Sequence, residues 1–368
     1  MKSSILVLIL TLIIGSSLPC SADSPFKSTL DEREKLKSLE NRIEELSKNG
    51  RVSGSFLFAR KGEILLNKIV GKLHPQRDGL ISSNSPFNLA SVSKQFTAMA
   101  IMQLHHQGKL KYDQKVKYHL PKFPYEDITI RHLLNHTSGM IDYEELTDKY
   151  WDQRDFTNQD MMMLYRVHHP KLEFTPGDQF EYSNTGYVVL AQVVESISNQ
   201  SLEDYSEKHI FEPLGMSNTR IFTVLSKHNE FKSRVYGQHE NEIFDLYHLE
   251  GITGDGSVYS TTNDLLKWHN GLLNNKLIPA SLKKEAFSPT VLNDGSLSYY
   301  GFGWSIDEDF PSIVAHSGSW VGFTTYIIRN IEKDEVLIFL TNNTGGIRFK
   351  DLRELIYSAL DTKLSYIL

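Results

Sequence analysis

The chain has 368 residues, 40% of them hydrophobic, and carries 39 Lys+Arg against 45 Asp+Glu for a net charge of −6. That length and apolar content suffice for two domains or one large two-lobed unit around a sizeable core. The acidic balance argues against nucleic acid as a partner, and neither a low-complexity linker nor an internal repeat divides the sequence.

Residues 1–22 read as a secretory signal peptide. Lys2 precedes an apolar run over 5–18, and Cys20-Ser21-Ala22 before Asp23 offers small residues at the two sites that govern cleavage. The run is too short for a stable membrane span, and an exported, periplasmic or secreted protein is expected. A lipobox ending at Cys20 is the competing reading, which Pro19 fits poorly. Cys20 is the sole cysteine, so cleavage after Ala22 leaves none and disulfides play no part.

Over 31–49, Leu36, Leu39, Ile43 and Leu46 recur at 3-4-3 spacing with Gly50 following, which predicts an amphipathic helix. Residues 53–71 alternate as two strands around Arg60-Lys61-Gly62-Glu63, a hairpin. A third element opens at Ser91 and is apolar round most of its circumference through Val92, Phe96, Met99, Ala100, Ile101 and Leu104, until Gly108 stops it. Residues 109–249 read mostly as helical patches and long loops, with Met161-Met162-Met163 as helix core. Residues 299–342 supply three strand runs, including 324–329 and 335–341, and a last helix carries Phe349, Leu352, Ile356 and Leu360. Strands early and late with helices between them predict an α+β fold. One antiparallel sheet, flanked by terminal helices, is built from 23–108 and 250–368, with an all-helical lobe inserted over 109–249.

Three constellations carry chemistry. Ser91-Val92-Ser93-Lys94 puts a hydroxyl and an amine on one helical face, since i and i+3 are neighbours there. The apolar surroundings of Lys94 suggest burial, which favours the neutral amine that a general base requires. A helix start also leaves the Ser91 N–H free to face an oxyanion. Tyr182-Ser183-Asn184 lies in a turn-rich loop feeding a helix, and residues i and i+2 of an extended loop can face one cleft. His316-Ser317-Gly318 ends the apolar run Ile313-Val314-Ala315, where the glycine leaves room for a substrate backbone against a strand edge.

In this order the three resemble the pattern of the serine β-lactamase and penicillin-binding protein superfamily, Ser-x-x-Lys, Tyr-x-Asn and Lys/His-x-Gly. Leu133-Leu134-Asn135-His136-Thr137-Ser138-Gly139-Met140 and the run from Gly254-Asp255-Gly256-Ser257 are similar to stretches of its class C-like branch. The resemblance implies Ser91 as acyl-accepting nucleophile, Lys94 as its proton partner and Tyr182 as general acid/base. It implies Asn184 as holder of Lys94 and of the substrate amide, and the backbone N–H groups of Ser91 and Ser319 as oxyanion hole. His316, Ser317 and Gly318 would bind substrate. The departure is His316, where β-lactamases usually have lysine. A histidine with a pKa near ~6.5 is charged only part of the time. Its imidazolium would pair with a substrate carboxylate, and histidine at this place is also found in some D-Ala-D-Ala carboxypeptidase, D-amino-acid peptidase and esterase-like members.

No zinc-ligand spacing and no phosphate loop is found, and Gly301-Phe302-Gly303 lacks a third glycine, so no metal or cofactor is expected. The sequence therefore reads as an exported serine hydrolase acting through an acyl-enzyme on a small-molecule or peptidoglycan-peptide-like substrate. The donor would be a D-amino-acid peptide, a β-lactam or an ester. A catalytically silent binder or sensor is the alternative, and the oligomeric state is left open.

Overall fold

The computed structural model describes residues 30–152, 155–226, 231–240, 242–346, 348, 350, 351 and 354. The expected signal segment, and the four residues expected to carry the last helix, lie outside them.

The first helix spans Leu30–Lys48 and buries Leu36, Leu39, Ile43 and Leu46, the stripe its spacing dictates. That stripe packs on Phe56, Phe58, Tyr326 and Phe339 of the sheet. Arg60 ties the helix to the sheet, donating to Glu32 and to Glu335 at 2.6 Å each, with all three side chains at most a tenth exposed.

The sheet has six antiparallel strands in the order Ser305–Ile306, Ile313–Trp320, Phe323–Asn330, Glu335–Thr341, Gly54–Arg60, Glu63–Val70. Its first long strand therefore pairs with its last, Gly54 opposite Thr341 and Arg60 opposite Glu335. The Lys61-Gly62 turn has φ of 49° and 78°, the primed geometry whose twist matches its strands. Alternation buries both faces. Phe56 and Phe58 face the terminal helix, while Leu57 and Ala59 join the opposite core with Val92, Phe96 and Trp268.

On that second face lies the helix Lys94–His106, buried from Lys94 through Leu104. Beyond it the helices Ile130–Leu134, Tyr143–Tyr150, Asn158–His168 and Asn184–Ser198 follow. The 109–249 segment is not all helical. Arg220–Ile221 joins Val258–Ser260 and Phe87–Asn88 in a small three-stranded sheet, and Gln238–His239 pairs with Glu242–Ile243. Two-residue strands are too short to show a period in the sequence. Among the described residues no helix is long and apolar enough to cross a membrane.

Candidate active site

Ser91 lies in a 3₁₀ turn, Ala90–Ser93, and the α-helix opens at Lys94 rather than at Ser91. The turn is held from all sides. Leu89 N–H donates to Val258 O at 2.8 Å, Ala90 N–H to Asn88 Oδ1 at 2.9 Å, Val258 N–H to Ser93 Oγ at 3.1 Å and Thr325 Oγ1 to Leu89 O at 2.6 Å. These bonds over-determine Ala90, whose φ of 48° is left-handed and costs a non-glycine roughly 1 kcal/mol or more. Gly318 admits the turn to the sheet. A Cβ there would sit 2.3 Å from Leu89 O and 3.0 Å from Ser91 N. The room expected for a substrate backbone is thus partly taken by the Ser91 turn.

Lys94 is fully buried, and its Nζ is 3.1 Å from Ser91 Oγ, 2.7 Å from Asn184 Oδ1 and 3.0 Å from Asp255 O. The amide and peptide oxygens only accept, so they take two N–H groups and the third tetrahedral direction faces the serine. The Asp255 carbonyl was not legible as a ligand, because a backbone oxygen leaves no trace in residue type. Its turn reaches the helix because Gly254, at φ 110°, has no Cβ to strike Tyr187 O. Thr97 Oγ1 anchors it by donating to Gly254 O at 2.7 Å.

Asn184 starts the helix Asn184–Ser198, and its N–H donates to Asp142 Oδ2 at 3.1 Å. Tyr182, two residues earlier, presents its ring to Lys94, with Nζ 4.9 Å from the centroid. Among the described residues its hydroxyl has no hydrogen-bond partner, and the side chain is 37% exposed. Ser91, Lys94, Tyr182 and Asn184 are therefore brought together.

His316 stands on the strand facing them but differs from its expected form. It is 5% exposed; Nδ1 meets Ser317 O at 2.6 Å and Nε2 meets Tyr300 Oη at 2.8 Å. A carbonyl accepts only, so Nδ1 carries the hydrogen and Nε2 accepts from the Tyr300 hydroxyl. Burial pushes the imidazole down to about 3. The partly charged imidazolium expected for a substrate carboxylate is corrected to a neutral ring with both nitrogens taken by protein. Tyr300, which the motifs did not single out, is its partner.

Two cavities flank Ser91. One, about 570 Å³, is walled by Phe180, Tyr182, Tyr300, His316, Ser317, Gly318 and Ser319. The other, about 180 Å³, is walled by Tyr143, Glu144, Asn184, Glu250, Asp255, Ser319 and Trp320. In it burial pushes the Glu144 and Glu250 carboxyls up to about 7. Ser319 borders both cavities, as does Ser91.

Residues 39–360 match the family model described as Beta-lactamase. The chain belongs to the beta-lactamase family. This beta-lactamase family member is 36% identical to "Penicillin-binding protein 4*" of Bacillus subtilis (strain 168) over 335 residues, covering 87% of this chain and 74% of that protein. It is 27% identical to "Putative penicillin-binding protein PbpX" of the same organism over 344 residues, covering 91% and 82%. The crystal structure of a penicillin binding protein from Bacillus halodurans shares its fold at a TM-score of 0.75 and 26% identity, covering 86% of this chain and 100% of that one. The superfamily read from the three motifs, and the α+β fold read from the order of strands and helices, are thus those found.

Proposed function

We propose that the chain is an exported serine hydrolase working through an acyl-enzyme on Ser91, with a D-amino-acid peptide, a β-lactam or an ester as acyl donor. The observation that carries this is Lys94 Nζ, buried and 3.1 Å from Ser91 Oγ, with two further directions fixed by Asn184 and Asp255. In this reading the cleft lies between the sheet unit, 23–108 with 250–368, and the helical lobe, 109–249. As Ser91 Oγ bonds to the substrate carbonyl, its proton passes to Lys94. The oxyanion is met by the N–H groups of Ser91 and Ser319. Collapse breaks the bond to the leaving group, which takes a proton through Tyr182, and water then hydrolyses the acyl ester.

Among the described residues no Lys or Arg lines either cavity beside Ser91, and both ring nitrogens of His316 are taken by protein. A substrate carboxylate therefore meets no fixed cation on the cavity walls, and among the three donors a neutral ester fits best. The test is intact-mass spectrometry after exposure to a fluorescent penicillin and, separately, a fluorophosphonate. Wild type should gain one adduct and Ser91→Ala none, with hydrolysis falling about 10⁴-fold or more. Retention of over a tenth of wild-type hydrolysis by Ser91→Ala would show that another group does the chemistry.

A further inference from the structure

The stretch 133–140 holds none of the groups assigned so far, yet every residue in it is buried. It runs beside the loop that delivers Tyr182 and Asn184. Glu173 N–H donates to Gly139 O and Gly177 N–H to Thr137 O, each at 2.8 Å. His136 makes the contacts nearest the cleft. Glu181 N–H donates to its carbonyl at 2.9 Å, and Ser183 N–H to its Nδ1 at 3.1 Å. Its ring lies 4.3 Å from that of Tyr182, tilted by 33°. The amides on either side of Tyr182, and the phenol ring itself, all rest on one residue.

We propose that His136 is a positioning residue for Tyr182, gripping the chain on both sides of it and flooring its ring, so that the rate of acyl transfer depends on this grip. The proposal rests on the reading of Tyr182 as the group that handles the proton. Several features fit a fixed support rather than a titrating one. Because Nδ1 accepts from Ser183, the ring hydrogen is on Nε2, which is buried without a hydrogen-bond partner among the described residues. The rings of Tyr300 and Tyr187 enclose it at 4.6 and 5.1 Å. Burial also holds the imidazole well below its ordinary pKa. The backbone is committed too, since His136 sits at φ 58°, a conformation open to asparagine but poorly to most residues.

Two variants separate grip from bulk. His136→Phe keeps a ring under Tyr182 but offers Ser183 N–H no acceptor. His136→Asn tolerates the left-handed backbone and places Oδ1 where Nδ1 was. Hydrogen–deuterium exchange of peptides spanning 180–185 and acylation by a chromogenic ester are measured on both, alongside wild type. His136→Phe should speed exchange in those peptides and slow acylation roughly 100-fold, the cost of a misplacement near 1 Å, with half-saturating ester little changed. His136→Asn should restore protection and recover part of the rate. Unchanged exchange in His136→Phe overturns the proposal, as does acylation at the wild-type rate. A wild type that no acylating probe labels overturns the reading of Ser91 instead, and the exchange result still decides the grip.

Discussion

Replacing His316 with glutamine removes one buried base while keeping an acceptor for the Tyr300 hydroxyl, and the consequence for stability can be worked out. In the unfolded chain the imidazole titrates at its ordinary value of 6.5; in the folded protein burial holds it to about 3. Between these values the unfolded state binds the proton and the folded state does not, so wild type loses stability as pH falls below 6.5. The rate is about 1.4 kcal/mol per pH unit. At pH 4.5 the loss reaches roughly 2–3 kcal/mol relative to pH 7.5. Glutamine does not titrate, so His316→Gln should be spared that loss, and groups that do not sense His316 cancel in the comparison. Urea denaturation of both proteins at pH 7.5 and 4.5, analysed by linear extrapolation, gives the difference. If the two lose stability equally, to within about 0.5 kcal/mol, His316 is charged in the folded protein and the neutral assignment is wrong. The same assignment requires that the wild-type rate on a neutral ester show no limb near pH 6.5 that His316→Gln abolishes.

Lys94→Met and Tyr182→Phe should each lower acylation by about 10²–10⁴-fold, and the double variant should lose little more than the worse single one, because both handle one proton. Stopped-flow acylation that instead loses the product of the two factors would separate their roles. Gly318→Ala puts a methyl group 2.3 Å from the Leu89 carbonyl, so the Ser91 turn must shift. A stability loss of about 1–3 kcal/mol with acylation down at least about tenfold is expected, and unchanged kinetics would show that the turn yields freely. Arg60→Met takes the guanidinium away from the buried carboxylates of Glu32 and Glu335 and should cost about 3–5 kcal/mol in chemical denaturation; a loss below about 1 kcal/mol would mean that water reaches them.

Much of the scaffold was legible because its signals are local. The stripe of Leu36, Leu39, Ile43 and Leu46 and the turn Lys61-Gly62 each state their geometry within a few residues. The cluster of Ser91, Lys94, Tyr182 and Asn184 was legible because each is marked by its side-chain type. The surroundings were not legible where they use a backbone atom or an enclosure assembled from afar. The Asp255 carbonyl could have been any residue's. The neutrality of His316 comes from Tyr300 and the depth of the strand, neither of which a solution pKa contains. The helix expected to open at Ser91 begins at Lys94 because Ala90 is pinned in a left-handed conformation by Asn88, a contact that hydrophobic periodicity cannot encode.

The pairing of Gly54–Arg60 with Glu335–Thr341 fixes an order of events during synthesis. A nascent chain halted before residue 335 has its Gly54–Arg60 and Glu63–Val70 hairpin but no strand to cover the inner edge, which stays open to pairing with other chains. The same unfinished chain, if halted before residue 313, lacks Gly318 and Thr325, so the Leu89–Ser91 turn has nothing to lean on. Such long-range closure is slow and comes late. Truncated products of this gene are accordingly expected to be both inert and prone to aggregate, and a fragment-complementation experiment with 30–300 and 301–368 should recover activity only when the second piece seats itself between the first strand and the nucleophile.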